Sequence, residues 1–102
     1  MAHLVVMYKT PADAAAFDKY YFSTHVPIAK KIPGLRKYQV SSGPVATPAG
    51  LSGYYLVATL HFDDMGAIQA AMGSAEGQAA VADVANFVTS PPDILMFDNR
   101  EV

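Results

Sequence analysis

The nine residues Tyr54–Phe62, YYLVATLHF, decide the fold. They are rich in aromatic and β-branched side chains and contain no Gly or Pro, which reads as a β-strand. Strict alternation puts Tyr54, Leu56, Ala58, Leu60 and Phe62 on one face and Tyr55, Val57, Thr59 and His61 on the other. Both sets are largely apolar, so the strand has to be covered on two sides and belongs in the middle of a sheet. One other segment has the same character, HLVVMY at His3–Tyr8.

Between these two strands, Thr10 reads as a helix N-cap, with Pro11 at the first helical position and Asp13 closing a capping box. Phe17, Tyr21, Thr24/His25 and Ile28 recur at spacings of three and four and mark the buried face of the helix. Pro27 disfavours helical geometry at Val26, which predicts a kink at His25-Val26, and Pro33-Gly34 ends the helix. Leu35–Ser42 reads as an edge strand with Tyr38 and Val40 on one side; residues 43–53, with their prolines, glycines and small side chains, read as a flexible connection. Beyond the central strand, Asp63 or Asp64 caps a short helix carrying Met65, Ile68 and Met72. Ser74 then starts another, in which Gly77, Val81, Val84 and Phe87 or Val88 recur at helical spacing. Ser90-Pro91-Pro92 stops it, and Ile94–Asp98 is a last short strand.

The order strand, helix, strand, strand, helix, strand is that of a ferredoxin-like βαββαβ sandwich, α+β in class. Right-handed crossovers give a four-stranded antiparallel sheet with the first and third strands inside. Residues 1–102 are expected to form a single domain, because a chain of this length has no room for a second core. Two helices cover only one face of such a sheet. Covering the other at about 25 cal/mol per Å² favours association with a second copy, so a homodimer joined through the sheet face is expected.

Composition removes several classes of function. With 52% hydrophobic and 16% charged residues the chain is built to fold compactly. A formal net charge of −2 argues against nucleic acid as a partner, and no apolar run is long enough to span a membrane. The start, MAHLVVMYKTP, lacks the pattern of a secretory signal, so a cytoplasmic location is expected. Cysteine is absent, which excludes disulfides, thiolate nucleophiles and sulfur-ligated metals. The sequence carries no glycine-rich phosphate loop, nucleophile elbow or dinucleotide fingerprint, which points away from nicotinamide and flavin. The basic run KKIPGLRK (Lys30–Lys37) reads as a solvated helix end and edge strand, with an anion site as the alternative.

The stretch Tyr20–Pro27, YYFSTHVP, holds the candidate chemistry. Tyr21 and His25 lie one helical turn apart, so phenol and imidazole can meet in one pocket. A histidine can take a proton from an activated carbon or phenol, and a tyrosine can hold the oxyanion that develops. The alternative is structural: His25 satisfies helix-terminal carbonyls and the tyrosines are core. Of Tyr54 and Tyr55, one is expected to line the pocket and the other the dimer seam, and the sequence leaves open which. His3 and His61 come close if their strands are antiparallel neighbours; a metal site there would need a carboxylate such as Asp63 or Asp64, and hydrogen-bonded strand-end residues are the plainer reading.

The spacing of Pro11, Asp13, Phe17, Tyr20-Tyr21, His25-Val26-Pro27 and Gly34-Leu35, with the Tyr-rich third strand and the closing Leu95-Met96-Phe97-Asp98, resembles the EthD family. Its most specific part is FDKYYFSTHVP, and the match covers nearly the whole chain. The resemblance implies a ferredoxin-like subunit, pairing as a dimeric α/β barrel, with a pocket between sheet and helices. It also implies a role in breakdown or tailoring of small organic molecules, often labelled oxidoreductase. Cofactor-independent monooxygenases, polyketide cyclases and haem-binding proteins share this type of fold, so fold alone does not fix a reaction. The acid–base histidine that the cyclases carry ahead of the second helix has no counterpart in Met72–Gln78, which argues against that route. The resulting expectation is an enzyme without cofactor or metal, acting on a small hydrophobic ligand. His25 and Tyr21 would be catalytic, and Phe17, Tyr20, Tyr54 and Tyr55 would bind substrate. A non-catalytic binding or accessory protein is the alternative.

Overall fold

A computed structural model describes residues 1–102. Its elements are β1 (Ala2–Lys9), α1 (Ala14–Tyr20), a wide π-helical turn (Tyr21–His25), α2 (Val26–Ala29), β2 (Lys37–Val40), a small hairpin β3 (Ala46–Thr47) and β4 (Gly50–Leu51), β5 (Tyr54–Phe62), α3 (Met65–Gly73), α4 (Ala75–Val84) and β6 (Asp93–Asp98). The main sheet is antiparallel with order β2-β5-β1-β6. The two segments apolar on both faces are the central pair, and the architecture is the ferredoxin-like α+β sandwich their composition calls for.

Helices cover one face. Leu4, Tyr8, Leu56, Ala58, Leu60 and Phe62 of the two central strands are buried against Phe17, Tyr21, Ala29, Ile32, Ile68, Ala71 and Ala80. Burying each larger apolar side chain here stabilises the fold by about 1.5–3 kcal/mol relative to exposing it. The other face carries His3, Val5 and Met7 of β1, Val57, Thr59 and His61 of β5, and Leu95 and Phe97 of β6, with no helix over it. Edge strand β6 shows the consequence, since Leu95 and Phe97 on this face are 52% and 42% exposed.

Several local expectations are corrected. The N-cap of α1 is Asp13, whose carboxylate accepts from Ala16 N–H at 3.0 Å. Thr10 is drawn away because both its backbone N–H and its hydroxyl donate to the Gly53 carbonyl at 3.2 Å, tying the end of β1 to the start of β5. No break occurs at Pro27. The chain widens for one turn just before it, with Val26 N–H reaching back five residues to the Tyr21 carbonyl, and helix resumes as α2. This turn leaves Tyr21 and His25 both facing the core, 0% and 5% exposed. Strand β2 is shorter than expected, and the connection after it contains the hairpin β3–β4.

In the second half, Asp64 caps α3 through Ala67 N–H at 2.7 Å and Ser74 caps α4 through Gly77 N–H at 3.0 Å. A Cβ at Gly77 would lie 2.0 Å from the Ala71 carbonyl oxygen, so only glycine lets the two helices meet there. The buried face of α4 is Gly77, Ala80 and Asp83, while Val81 is 54% exposed. The face is turned from the valine stripe expected because the small residues allow α4 to approach the body closely and a carboxylate has inward partners.

One irregularity in β5 reverses two assignments. Tyr8 pairs with Leu56 and Lys9 with Tyr54, so Tyr55 is an extra, bulged residue. Tyr55 therefore points to the helix side, packing edge-on against Phe17 at 5.3 Å, and Tyr54 to the open side, where its hydroxyl donates to Asp93 at 2.6 Å. Strict alternation grouped Tyr54 with Leu56 and Tyr55 with Val57, and the bulge exchanges the two.

Candidate functional site

Between the helix side of the sheet and helices α2 and α4 lies a cavity of about 250 Å³. Its walls are mainly apolar, among them Leu4, Val6, Leu60 and Val84. Four polar side chains converge on it: His25 from the wide turn, Tyr21 from the same turn, Tyr8 from the end of β1 and Tyr38 from β2. The wide turn matters here, because it sets Tyr21 and His25 side by side with ring centroids 5.3 Å apart.

His25 is paired with Asp83, which comes from the last turn of α4; Nδ1 and Oδ2 are 2.9 Å apart and both side chains are buried. The other carboxylate oxygen accepts from the Tyr20 hydroxyl at 2.7 Å and from the Asn86 amide at 3.0 Å. Burial by itself would raise the Asp83 pKa, but the donors Tyr20, Asn86 and His25 outweigh it and hold the carboxyl below its ordinary value. For His25, burial lowers the pKa and outweighs the opposing pull of Asp83. The pair at neutral pH is thus a carboxylate and a neutral imidazole. An ionised carboxylate can only accept, so Nδ1 carries the proton and Nε2 keeps its lone pair. Nε2 makes no hydrogen bond within the chain and keeps some accessible surface, and His25 is one of the residues lining the cavity.

The phenols supply the complementary donors. Burial raises the pKa of Tyr8, Tyr21 and Tyr38, so each stays a neutral O–H. The Tyr21 and Tyr38 hydroxyls bond to each other at 2.5 Å, and whichever accepts retains its own proton for a ligand. The Tyr8 hydroxyl has no partner in the chain. Phe87 closes the back of the site, 4.8 Å from the His25 ring and 5.5 Å from Tyr20.

A larger groove of about 440 Å³ lies behind Phe87, lined by Phe17, Tyr20, Asn86 and the Lys9–Asp13 turn. Its ionisable lining groups are Lys9 and Asp13, the latter engaged as the cap of α1, and the hydroxyl of Tyr20 is turned toward Asp83, whereas imidazole and phenols meet in the smaller cavity. Of the residues singled out in the sequence, His25 and Tyr21 come together in that cavity. Phe17 and Tyr20 border the groove; Tyr55 is bound to Asp18 at 2.9 Å and 3.0 Å, Tyr54 to Asp93, and neither tyrosine lines either space. Sequence reasoning missed Asp83, Asn86, Tyr8 and Tyr38. Asp83 had one signal, a carboxylate three residues after Ala80 on the face that α4 buries.

His3 and His61 do lie opposite one another, with Nε2 and Nδ1 2.9 Å apart. The nearby carboxylates are engaged elsewhere: Asp63 takes two bonds from Arg36 and Asp64 caps α3. Arg36 thereby accounts for part of the basic run. No helix is long and apolar enough to cross a membrane.

Comparison with known proteins places the chain by family and fold. The model of the EthD domain matches residues 9–91. An uncharacterized 11.0 kDa protein from the thcB-thcC intergenic region of Rhodococcus erythropolis is 36% identical over 102 residues, covering 100% of this chain and 98% of that one. The crystal structure of an ethyl tert-butyl ether D (EthD) family protein from Bacillus halodurans superposes with a TM-score of 0.88 at 36% identity, covering 98% of this chain and 99% of the other. At the level of fold alone, a cofactor-independent oxygenase from Streptomyces nogalater matches with a TM-score of 0.68 at 14% identity, covering 99% and 94% of the two chains. With a domain match over most of its length and a relative of this identity from end to end, the chain belongs to the EthD family.

Proposed function

We propose that the protein is a small homodimeric enzyme that acts without a bound cofactor on a small, hydrophobic, oxygenated compound, with His25 as its acid–base group. The observation that carries this reading is the free Nε2 lone pair of a neutral imidazole, oriented by an ionised Asp83, in a cavity whose other polar groups are phenol donors. A substrate O–H or activated C–H gives its proton to Nε2. The electron pair stays on the substrate oxygen, where Tyr8 and the Tyr21–Tyr38 pair donate to it, and Asp83 stabilises the imidazolium that forms. The anion so produced is the species on which an oxidative or related tailoring or degradation step acts. A cofactor-independent oxygenase of the same fold lends support to that class of reaction. The cavity, about 250 Å³, falls just below the roughly 300–1,000 Å³ usual for drug-sized ligands, which favours a compact compound.

The homodimer rests on the uncovered sheet face. Four strands about 4.8 Å apart and about 20 Å long project roughly 400 Å², more once side-chain relief is counted, toward the ~800 Å² per partner of a stable interface. Leu95 and Phe97 lie on that face and are about half exposed.

The test pairs wild type with His25→Gln against a panel of small phenols and cyclic ketones, following binding by calorimetry and product by mass spectrometry. The expected result is a folded variant in which turnover falls by about 10²–10⁴-fold. Saturable binding with no product from wild type would turn the reading to a non-catalytic carrier, and equal turnover by both proteins would remove His25 from the chemistry.

A further inference from the structure

The uncovered sheet face carries a row of polar side chains that crosses all four strands. Asn99 follows β6, His3 opens β1, His61 nears the end of β5, and Gln39 sits in β2. The contacts are Asn99 Nδ2 to His3 Nδ1 at 2.8 Å, with His3 Nε2 at 3.3 Å; His3 Nε2 to His61 Nδ1 at 2.9 Å; and His61 Nε2 to Gln39 Oε1 at 3.1 Å. With the Gln39 and Asn99 amides oriented as they stand, these contacts fit one assignment. The Gln39 oxygen can only accept, so His61 carries its proton on Nε2 and has a lone pair on Nδ1. That lone pair accepts from His3 Nε2–H, which leaves the His3 Nδ1 lone pair to accept from the Asn99 amide. All four ring nitrogens are then satisfied by two neutral imidazoles.

The four ring nitrogens are matched within one chain and need no water, while the outer amide groups of Gln39 and Asn99, both exposed at the two edges of the sheet, stay with solvent. The row lies among Val5, Met7, Val57, Leu95 and Phe97, with Phe97 edge-on to His3 at 5.6 Å. Such a row can be covered by an apolar surface without leaving a buried polar group unpaired. A second copy of this chain offers that surface, since its own open face is largely apolar, with Thr59, the matched histidine row and the peripheral Lys37, Tyr54 and Asp93 as its polar groups. A proton on either imidazole breaks the match. On His61 it takes the Nδ1 lone pair, so two N–H groups face each other across the 2.9 Å contact; on His3 it takes the Nδ1 lone pair that accepts from Asn99, so two donors meet there; in both cases a charge sits in the seam.

We propose that the open face is a proton-gated interface: two copies associate through it when His3 and His61 are both neutral, and protonation of the row separates them. The inference rests on the dimer reading above. The charged groups around the row add to the gate, because Lys37 on β2 stands opposite His61, whereas the cation of Arg36 is matched by Asp63; on β6 the facing side chain is the uncharged Phe97. Burial, His3 and Lys37 all lower the His61 pKa. In the single chain that shift already favours a neutral His61, and covering the row with a second copy adds burial that acts in the same direction, so association is favoured above the imidazole range and weakens as pH falls through it.

The test is sedimentation velocity of wild type and of His3→Gln/His61→Gln between about pH 7.5 and about pH 5, a range that brackets imidazole titration, with circular dichroism at each pH. Wild type should dissociate into folded monomers, with Kd rising by up to about a hundredfold per pH unit because each of two protomers takes up a proton. The double variant should show no such slope, and His61→Gln alone serves if the double variant does not fold. A wild-type dimer with constant Kd across the range, or a variant with the same slope, overturns the gate and leaves the dimer reading intact. A monomer at all pH values overturns both.

Discussion

The two faces of the sheet treat histidine in opposite ways. On the helix side, His25 has one ring nitrogen bound to Asp83 and the other free in an apolar cavity. On the open side, His3 and His61 have every nitrogen matched by a neighbour. The same side chain is thereby set up as a base in one place and as a closed structural link in the other. Burial and the count of unshared lone pairs, more than residue type, separate a reactive group from a satisfied one.

The strongest way to break this contrast is Asp83→Ala, which strips the acceptor from His25, Tyr20 and Asn86 at once inside the core. Unfolding in urea should show a loss of about 3 kcal/mol, as for an uncompensated buried partner. A loss under about 1 kcal/mol would mean that the cluster is wet and the pairing loose. Acid should act in the same direction. Asp83 and His25 both have folded pKa values below ordinary ones, so the folded chain binds fewer protons than the unfolded one. The stability from His25 is complete above its unfolded value of 6.5 and declines as pH falls toward its lowered value; that from Asp83 is complete above 3.8 and declines below it. Denaturation midpoints that stayed flat from neutral pH to pH 4 would contradict the assignment. Smaller is the effect of His61→Ala on the open face, where water can replace the lost contacts in the monomer, and about 1 kcal/mol or less is expected. Smallest is Tyr8→Phe. Its hydroxyl has no partner in the chain, so stability should change by less than about 0.5 kcal/mol while ligand affinity or turnover falls. A large stability loss there would show that the hydroxyl has a structural bond.

The fold was legible because YYLVATLHF and HLVVMY are largely apolar on both faces, and a segment of that kind belongs in the middle of a sheet. Tyr21 and His25 were legible as neighbours because helical spacing is a local property. Asp83 was not, because it lies 58 residues from His25 and reaches it only through the packing of α4 on the body. That packing depends on the absence of a side chain at Gly77, and glycine in a helix gives no pattern to read. Alternation grouped Tyr54 with Leu56 and Tyr55 with Val57 and left open which tyrosine faced the helices; the grouping failed because one bulged residue inverts a period-two pattern, and nothing in the alternation of the strand marks where it falls. Pro27 correctly flagged an irregular turn, but whether a helix answers a proline by breaking or by widening is decided by what its side chains face, here Tyr21 and His25 turned inward.

The contrast between the two faces is most directly measured in the imidazole nitrogens themselves. Long-range nitrogen–proton NMR correlation on the wild-type protein at neutral pH reads which nitrogen of each histidine carries the proton. The expected result is a neutral His25 protonated on Nδ1, beside His3 and His61 protonated on Nε2. A His25 protonated on Nε2, or on both nitrogens, would leave no base in the cavity and would contradict the proposed chemistry at its first step.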